Sequence, residues 1–134
     1  MHKTKIVTTF LTNSDKILLL KRSQKVKSMK NLWAGISGII EGNEEPVKRA
    51  KIEVYEEVGI DESKIKLIKE GNIILIESPQ YENHQWEVYP FLFSCNDREV
   101  KLNWENSDSK WINVNELNDF TTVPSLDRVL TRLF

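Results

Sequence analysis

A single cysteine, Cys95, excludes an internal disulfide. It closes the apolar run Tyr89-Pro90-Phe91-Leu92-Phe93-Ser94-Cys95. A buried, structural thiol is expected there, because a free cysteine behaves as a small hydrophobe. The two histidines, His2 and His84, are too few and too far apart in the chain for a convincing zinc site. An excess of charge is also missing: 19 basic residues against 20 acidic ones leave a net charge of −1. Nothing global therefore marks a nucleic-acid coat or a membrane-surface protein, and any charge selectivity must be local. No window approaches the uninterrupted apolar length of a membrane span. Met1-His2-Lys3-Thr4-Lys5 leads into a short alternating run and not into the longer apolar stretch of a secretory signal. A cytoplasmic protein without a membrane partner is expected. Repeats, low-complexity tracts and linkers are absent too, and 134 residues with 40% hydrophobic content suit one core, so residues 1–134 read as a single domain.

What is present is an alternation of strand and helix patterns. Thr4 to Thr12 and Lys16 to Lys21 are β-rich runs around the turn-forming Asn13-Ser14-Asp15, which together read as a hairpin. Lys21, Arg22, Lys25, Lys27 and Lys30 then load one short stretch with positive charge, read as a loop that is either simply solvated or turned toward an anionic ligand. From Glu45 to Val58 the period becomes helical, because Val47, Ala50, Val54 and Val58 fall on one arc at roughly 100° per residue. Pro46 suits its first turn and Gly59 its left-handed stop. Ile65 to Leu67, Asn72 to Glu77, Trp86 to Ser94 and the shorter Ser109 to Val114 read as strands. Asn115 to Asp119 and Ser125 to Phe134 read as helices, the latter capped by Ser125 and carrying Leu126, Val129, Leu130 and Leu133 as its apolar stripe. Strands on both sides of a central helix, followed by a terminal helix, predict an α/β fold with a mixed sheet between helical layers.

The central helix carries an arrangement that local stability would not select. Glu53, Glu56 and Glu57 stand at i, i+3 and i+4, so three carboxylates share one side and repel one another. They also occupy the last turns, where the helix dipole is negative and an acidic group is disfavoured by some tenths of a kcal/mol, roughly. A solvated charged face is the plain explanation. A bound cation would relieve both penalties, and oxygen-only ligands suit Mg²⁺, with Mn²⁺ as a substitute.

Over a longer stretch the spacing becomes specific. Gly38, five residues, Glu44, seven residues, then Ile52-Glu53-Val54-Tyr55-Glu56-Glu57-Val58-Gly59-Ile60 closely resembles the Nudix box, glycine-x5-glutamate-x7-arginine-glutamate-apolar-x-glutamate-glutamate-x-glycine-apolar. The resemblance continues outside it, in Leu18-Leu19-Leu20-Lys21-Arg22-Ser23 as a second strand with a basic end, in Trp33 as an aromatic before the box, and in Trp111 to Leu117 as a closing strand and turn. It implies an α/β/α sandwich that hydrolyses a diphosphate linkage in a nucleoside diphosphate derivative. By the same resemblance Glu56 and Glu57 hold the metal, Glu53 activates water or holds a further metal, and Glu44 assists. A late-loop carboxylate completes the set, for which Glu105 is the first choice and Glu82, Glu87 and Asp97 are weaker ones.

Two positions depart from the box. Ile52 stands where the arginine belongs, and Ser37-Gly38 where a glycine pair is frequent. Arg49, one turn before Glu53 and close to it on the helical wheel, is the candidate to replace the missing guanidinium as a catalytic group beside Glu53 and Glu57. Ser37 would offer metal its backbone carbonyl, so its side chain matters less. Arg22 and Lys21 are candidates for the phosphates. Trp33 and Trp86, with Tyr81 and Phe10 behind them, are candidates to stack on a base, although each aromatic also suits the core. The polar segment Asn83-His84-Gln85-Trp86-Glu87 is a further candidate contact. The expected partner is a nucleotide-like small molecule; the only nucleic acid kept open is a capped RNA end, and a homodimer is compatible with the sequence. Ile52 also keeps alive a non-catalytic nucleotide sensor, although three retained helix glutamates argue for catalysis. An isomerase of allylic diphosphates would need a catalytic cysteine, for which Cys95 in an apolar strand is a poor fit.

Overall fold

The computed structural model describes residues 2–77 and 83–134. Strands β1 (His2–Asn13) and β2 (Lys16–Arg22) form the expected hairpin. Its two turn residues, Ser14 and Asp15, both take positive φ, 47° and 68°. That is the left-handed pair whose twist matches a tight hairpin. The ladder is short, Thr12 opposite Ile17 and Asn13 opposite Lys16, after which the strands part. β2 goes on to pair with β3 (Trp33–Ala34) and β8 (Asn106–Ile112), while β1 takes β4 (Ile36–Ile39) on the same flank. The sequence pattern had marked neither β3 nor β4 as strands, because two and four residues are too short to show a period.

On its other flank β1 runs parallel to β7 (His84–Cys95) in unbroken register from His2 opposite His84 to Thr12 opposite Ser94. β5 (Ile65–Glu70) and β6 (Ile74–Glu77) line the far edge of β7 as antiparallel neighbours. The sheet is therefore mixed, in the order β3-β2-β1-β7-β5, with β4, β6 and β8 as additional partners.

Helix α1 (Pro46–Val58) and helix α2 (Leu126–Thr131) cover opposite faces. Val7, Leu11, Leu18, Leu20, Phe91 and Phe93 pack with Ala50, Val54 and Val58 of α1. Phe10, Leu19, Val88 and Leu92 pack with Val129, Leu130 and Leu133 at the other end of the chain. The alternation of side chains along β1 sends Val7 and Leu11 to one layer and Phe10 to the other, as a two-residue period must. This is the α/β/α sandwich that the sequence implied.

The helix ends show what propensity alone misses. α1 starts at Pro46 and stops where Gly59, at φ 73°, turns its N–H back to the carbonyl of Tyr55. α2 is shorter than Ser125 to Phe134: it covers Leu126–Thr131, and Ser125 takes φ 66° with no side-chain capping bond, so the expected cap is not made. The apolar stripe Leu126, Val129, Leu130 and Leu133 is buried all the same. Asn115 to Asp119 is a 3-10 turn over Val114–Asp119, closed by reciprocal bonds between Asn113 and Glu116. β8 begins three residues before the expected Ser109 and ends before Val114, which shifts its first residues beside the glutamates of α1. Cys95 is buried, as expected, and its thiol donates to the carbonyl of Asp97 at 3.2 Å. Among the described residues no helix is long and apolar enough to cross a membrane.

Candidate active site

A cleft of about 740 Å³ opens between the ends of β4 and α1 on one side and α2 on the other. Its two halves differ in chemistry. One half is lined by Arg22, Ser37, Gly38, Arg49, Glu53, Glu56 and Glu105. The other is lined by Ile6, Ile76, Trp86, Val88, Leu126 and Val129, with Thr8 at the floor between them.

At the polar end α1 delivers its carboxylates at three depths. Glu56 is exposed, Glu53 is buried, and Glu57 is 3% exposed. Burial raises the pKa of Glu57 well above the usual carboxylate range, and the negative charges of Glu105 and Glu53 push it further the same way. One of its oxygens, Oε1, accepts from Nδ2 of Asn106 at 3.1 Å. The other, Oε2, is buried without a hydrogen-bond partner. A buried acceptor left open normally costs about 1–3 kcal/mol, so it calls for an explanation. Glu53 is also raised, by burial first and then by the charges of Glu56 and Glu105, against the lowering effect of Arg49.

Glycine at position 38 has a concrete reason. A Cβ on Gly38 would collide with the side chain of Glu53, so the strand can pass this close to the helix only without one. Arg49 also reaches this carboxylate, where Nη1 donates to Glu53 Oε2 at 3.0 Å. Its Nε and Nη2 donate to the two oxygens of Glu44 at 2.6 and 2.9 Å. Glu44 Oε1 also accepts the backbone N–H of Glu41 at 2.7 Å. Arg49 lowers the pKa of Glu44, and Glu44 in turn raises that of Arg49.

Arg22, at the end of β2, donates through Nε and Nη2 to the carbonyl of Ser28 at 3.3 and 3.0 Å, and feels the charges of Glu57 and Glu105. Burial lowers its pKa. Glu105 is brought in by its loop: Ser23 N–H donates to its carbonyl at 2.8 Å, and Asn103 braces it from within the loop.

The donors fit a hard divalent cation. Four carboxylates and the backbone at Ser37 line or adjoin one end of the cleft, and the open oxygen of Glu57 is the acceptor such an ion would satisfy. Among the described residues no three carboxylates are already drawn together as a closed ligand set.

Several expected contacts are not made. Trp33 does not reach the cleft; its ring meets Phe120 edge-on at 5.1 Å, with Lys110 Nζ 5.7 Å from its centroid, so it packs against the core. Lys21 also stays outside, opposite Trp33 and Asp108 in the sheet. Lys25, Lys27 and Lys30 are exposed, which is the solvated reading of the basic loop. Phe10 is wholly buried and serves the core. Glu87 pairs with Lys3 at 3.8 Å and Asp97 bonds within its own turn, and neither lines the cleft. Tyr81 and Glu82 lie outside the described residues. Of the polar segment, Trp86 lines the cleft, and His84 supports it from Thr4 at 3.0 Å and by a tilted ring contact at 4.7 Å. Asn106, the partner of Glu57, was missed, since a lone asparagine after Glu105 carries no signal of its own.

The NUDIX domain model matches residues 2–133 of the chain. No curated protein matches it by sequence. Among solved structures it is similar to the MutT protein of Methanosarcina mazei Go1, with 20% identity, a TM-score of 0.77, and coverage of 98% of this chain and 93% of that one. The MutT NUDIX hydrolase of Burkholderia pseudomallei is similar at 18% identity and a TM-score of 0.76, with 100% of each chain covered. An Ap4A hydrolase of C. elegans is similar at 17% identity and 0.74, over 98% of this chain and 94% of that one. At such identities these likenesses show a shared fold.

Proposed function

Since the chain belongs to the NUDIX family, as a pyrophosphohydrolase built on its fold, we propose that it splits a diphosphate linkage in a nucleoside triphosphate or in a nucleoside diphosphate joined to another group. The observation that carries this reading is a cleft with a polar end lined by Arg22, Glu53, Glu56 and Glu105 and an apolar end lined by Ile6, Ile76, Trp86 and Val88, with the open, buried oxygen of Glu57 one helical turn from Glu53. Diphosphate and cation belong at the first end, and a flat base at the second.

In this reading Glu56 and Glu57 would hold Mg²⁺, for which Mn²⁺ would substitute, together with Glu105 and the backbone carbonyl at Ser37. The ion, when bound, neutralises phosphate charge and makes water a better nucleophile. Glu53 receives a proton from the attacking water, a task suited to a carboxylate whose pKa is raised toward the working pH; a second cation there is the variant of this scheme. Arg22 exchanges its bond to the Ser28 carbonyl for the substrate's phosphates, a stronger charge-assisted contact. Trp86 offers the aromatic face for the base. The cytoplasm, where Mg²⁺ and nucleotides abound, is the place proposed for it.

The test is a panel of nucleoside triphosphates, nucleotide sugars, dinucleoside polyphosphates and capped RNA ends, with Mg²⁺ or Mn²⁺, in ¹⁸O-labelled water to locate the attacked phosphorus. Hydrolysis that disappears with excess chelator is expected. Full turnover in chelator overturns the metal assignment, and tight binding without turnover replaces the enzyme by a sensor.

A further inference from the structure

Glu53 has one cationic donor among the described residues, and it comes from three residues before the position at which Ile52 stands. The guanidinium of Arg49 is planar and held at both ends. Two of its N–H groups grip Glu44 and a third grips Glu53 Oε2. Because the fork is rigid, fixing one carboxylate fixes the direction in which the other is held. Arg49 is itself sheltered, with 15% of its side chain exposed. Its contacts are thus less open to water than those of a surface ion pair.

Each end of this chain of contacts is anchored. Glu44 is tied back by the N–H of Glu41, which makes the turn before α1 part of the arrangement. Both Glu44 oxygens are engaged by Arg49, and one of them by Glu41 as well. Glu53 is also backed by Gly38, where a Cβ would overlap its Cγ, its carboxyl carbon and Oε2. Its Oε2 is held by Arg49, while the residue itself lines the cleft.

We propose that Arg49 is the positioning residue of this site, that Glu44 is its anchor and not a ligand of the cation, and that Gly38 is the notch against which the pair holds Glu53. The inference rests on the hydrolase reading for its effect on rate, but its effect on cation binding can be read without substrate. Because Arg49 touches neither the phosphates nor the water in this scheme, it acts through the orientation of Glu53. Its loss should lower kcat and leave KM nearly unchanged. Lysine cannot replace it, since an ammonium cannot present the fork to two carboxylates at once.

The experiment compares Arg49→Ala, Arg49→Lys and Glu44→Gln in the full chain, each checked for folding by circular dichroism. Mn²⁺ affinity is measured by electron paramagnetic resonance without substrate, and kcat and KM with the best substrate of the panel. Arg49→Ala should lose about 10–100-fold in kcat or in Mn²⁺ affinity, the range for groups that orient a metal site from behind. Added guanidinium should recover part of it, Arg49→Lys should not, and Glu44→Gln should fall in the same direction by a smaller factor. If Arg49→Ala retains both kcat and Mn²⁺ affinity, or if Arg49→Lys is fully active, the positioning role is overturned. If Glu44→Gln loses more Mn²⁺ affinity than Arg49→Ala, Glu44 is a ligand and the anchor assignment is overturned. A wild type that binds Mn²⁺ but hydrolyses nothing would remove the hydrolase reading, while the Mn²⁺ titrations still decide the role of Arg49.

Discussion

α1 and α2 cover opposite faces of one sheet, yet α1 buries Glu53 and Glu57 among its apolar residues, whereas α2 buries Leu126, Val129 and Leu130 and no charge. α2 and the residues after it contribute apolar surface, to the core and, through Leu126 and Val129, to the apolar wall of the cleft. α1 does that with Ala50, Val54 and Val58 while holding two carboxylates in an environment that disfavours their ionised form. The difference separates stability from chemistry residue by residue: α2 can be weakened at Leu130, which does not line the cleft, without touching the reaction, and α1 can be made more stable by destroying it.

The largest effect should come from Glu57→Gln, which is expected to cut kcat by orders of magnitude, with Glu56→Gln close behind. Circular dichroism melting of the Glu57 variant without metal should show a fold as stable as wild type or more so, since a disfavoured buried charge is gone. The pH dependence sharpens this. Glu57 and Glu53 have raised folded-state values, so between the ordinary carboxylate range and those values the folded chain binds more protons than the unfolded one. Stability of the metal-free protein should therefore fall as pH rises through that window. Glu44, lowered by Arg49, works in the opposite sense at more acid pH. Melting curves across pH should show the loss above the ordinary carboxylate range flattened in Glu57→Gln and offset by Mg²⁺ in wild type. A near-native rate for Glu57→Gln would mean that the chemistry lies elsewhere.

On the other layer, Leu130→Ala should lower stability by about 2–5 kcal/mol in denaturant titrations, the range for a buried leucine, while kcat of the folded enzyme stays near wild type. If kcat falls along with stability, the two layers are not separable. A pair of tryptophans gives a finer test. Trp86→Ala should weaken substrate binding by about 1–3 kcal/mol, the range for loss of a stacked aromatic, seen as a raised KM. Trp33→Ala should lower the melting temperature and leave KM unchanged, because its ring is spent on Phe120. The smallest effect is a coupling: in an Arg49→Ala background, Ile52→Arg should return part of the lost rate, with a coupling energy on the order of 1 kcal/mol in the double-mutant cycle. An inert Ile52→Arg would mean that position 52 cannot deliver a guanidinium to Glu53.

Much of this was legible in the chain because periodicity and spacing are local. The helix from Pro46 to Gly59, the hairpin at Ser14-Asp15 and the shared side of Glu53 and Glu57 all follow from residues within a few positions of one another. Arg49 beside Glu53 belongs to the same class, being one helical turn away. What could not be read depends on residues far apart. Trp33 and Trp86 look alike in the sequence as aromatics that could stack on a base, and only the arrival of Phe120 beside one and of the cleft beside the other separates them. Asn106 becomes a partner of Glu57 because β8 starts three residues earlier than its apolar pattern suggested. Ser125 has the side chain of a cap but a left-handed backbone, in a stretch whose preceding residues Thr121 and Val123 are hydrogen-bonded to Trp33, far away in the chain.

The unbroken parallel register between β1 and β7 has a consequence for how the chain reaches this state. β1, central in the finished sheet, receives its longest partner only after Cys95, more than eighty residues later in the chain, has been made. Parallel pairing also brings no tight turn to close the gap. Until then β1 has only the short hairpin to β2 and the four-residue ladder with β4 to hold it. Folding should be slow for a chain of this size, because loop closure over most of its length precedes the contacts that reward it. During that interval Val7, Phe10 and Leu11, wholly buried in the finished fold, are strand-prone apolar residues without their cover.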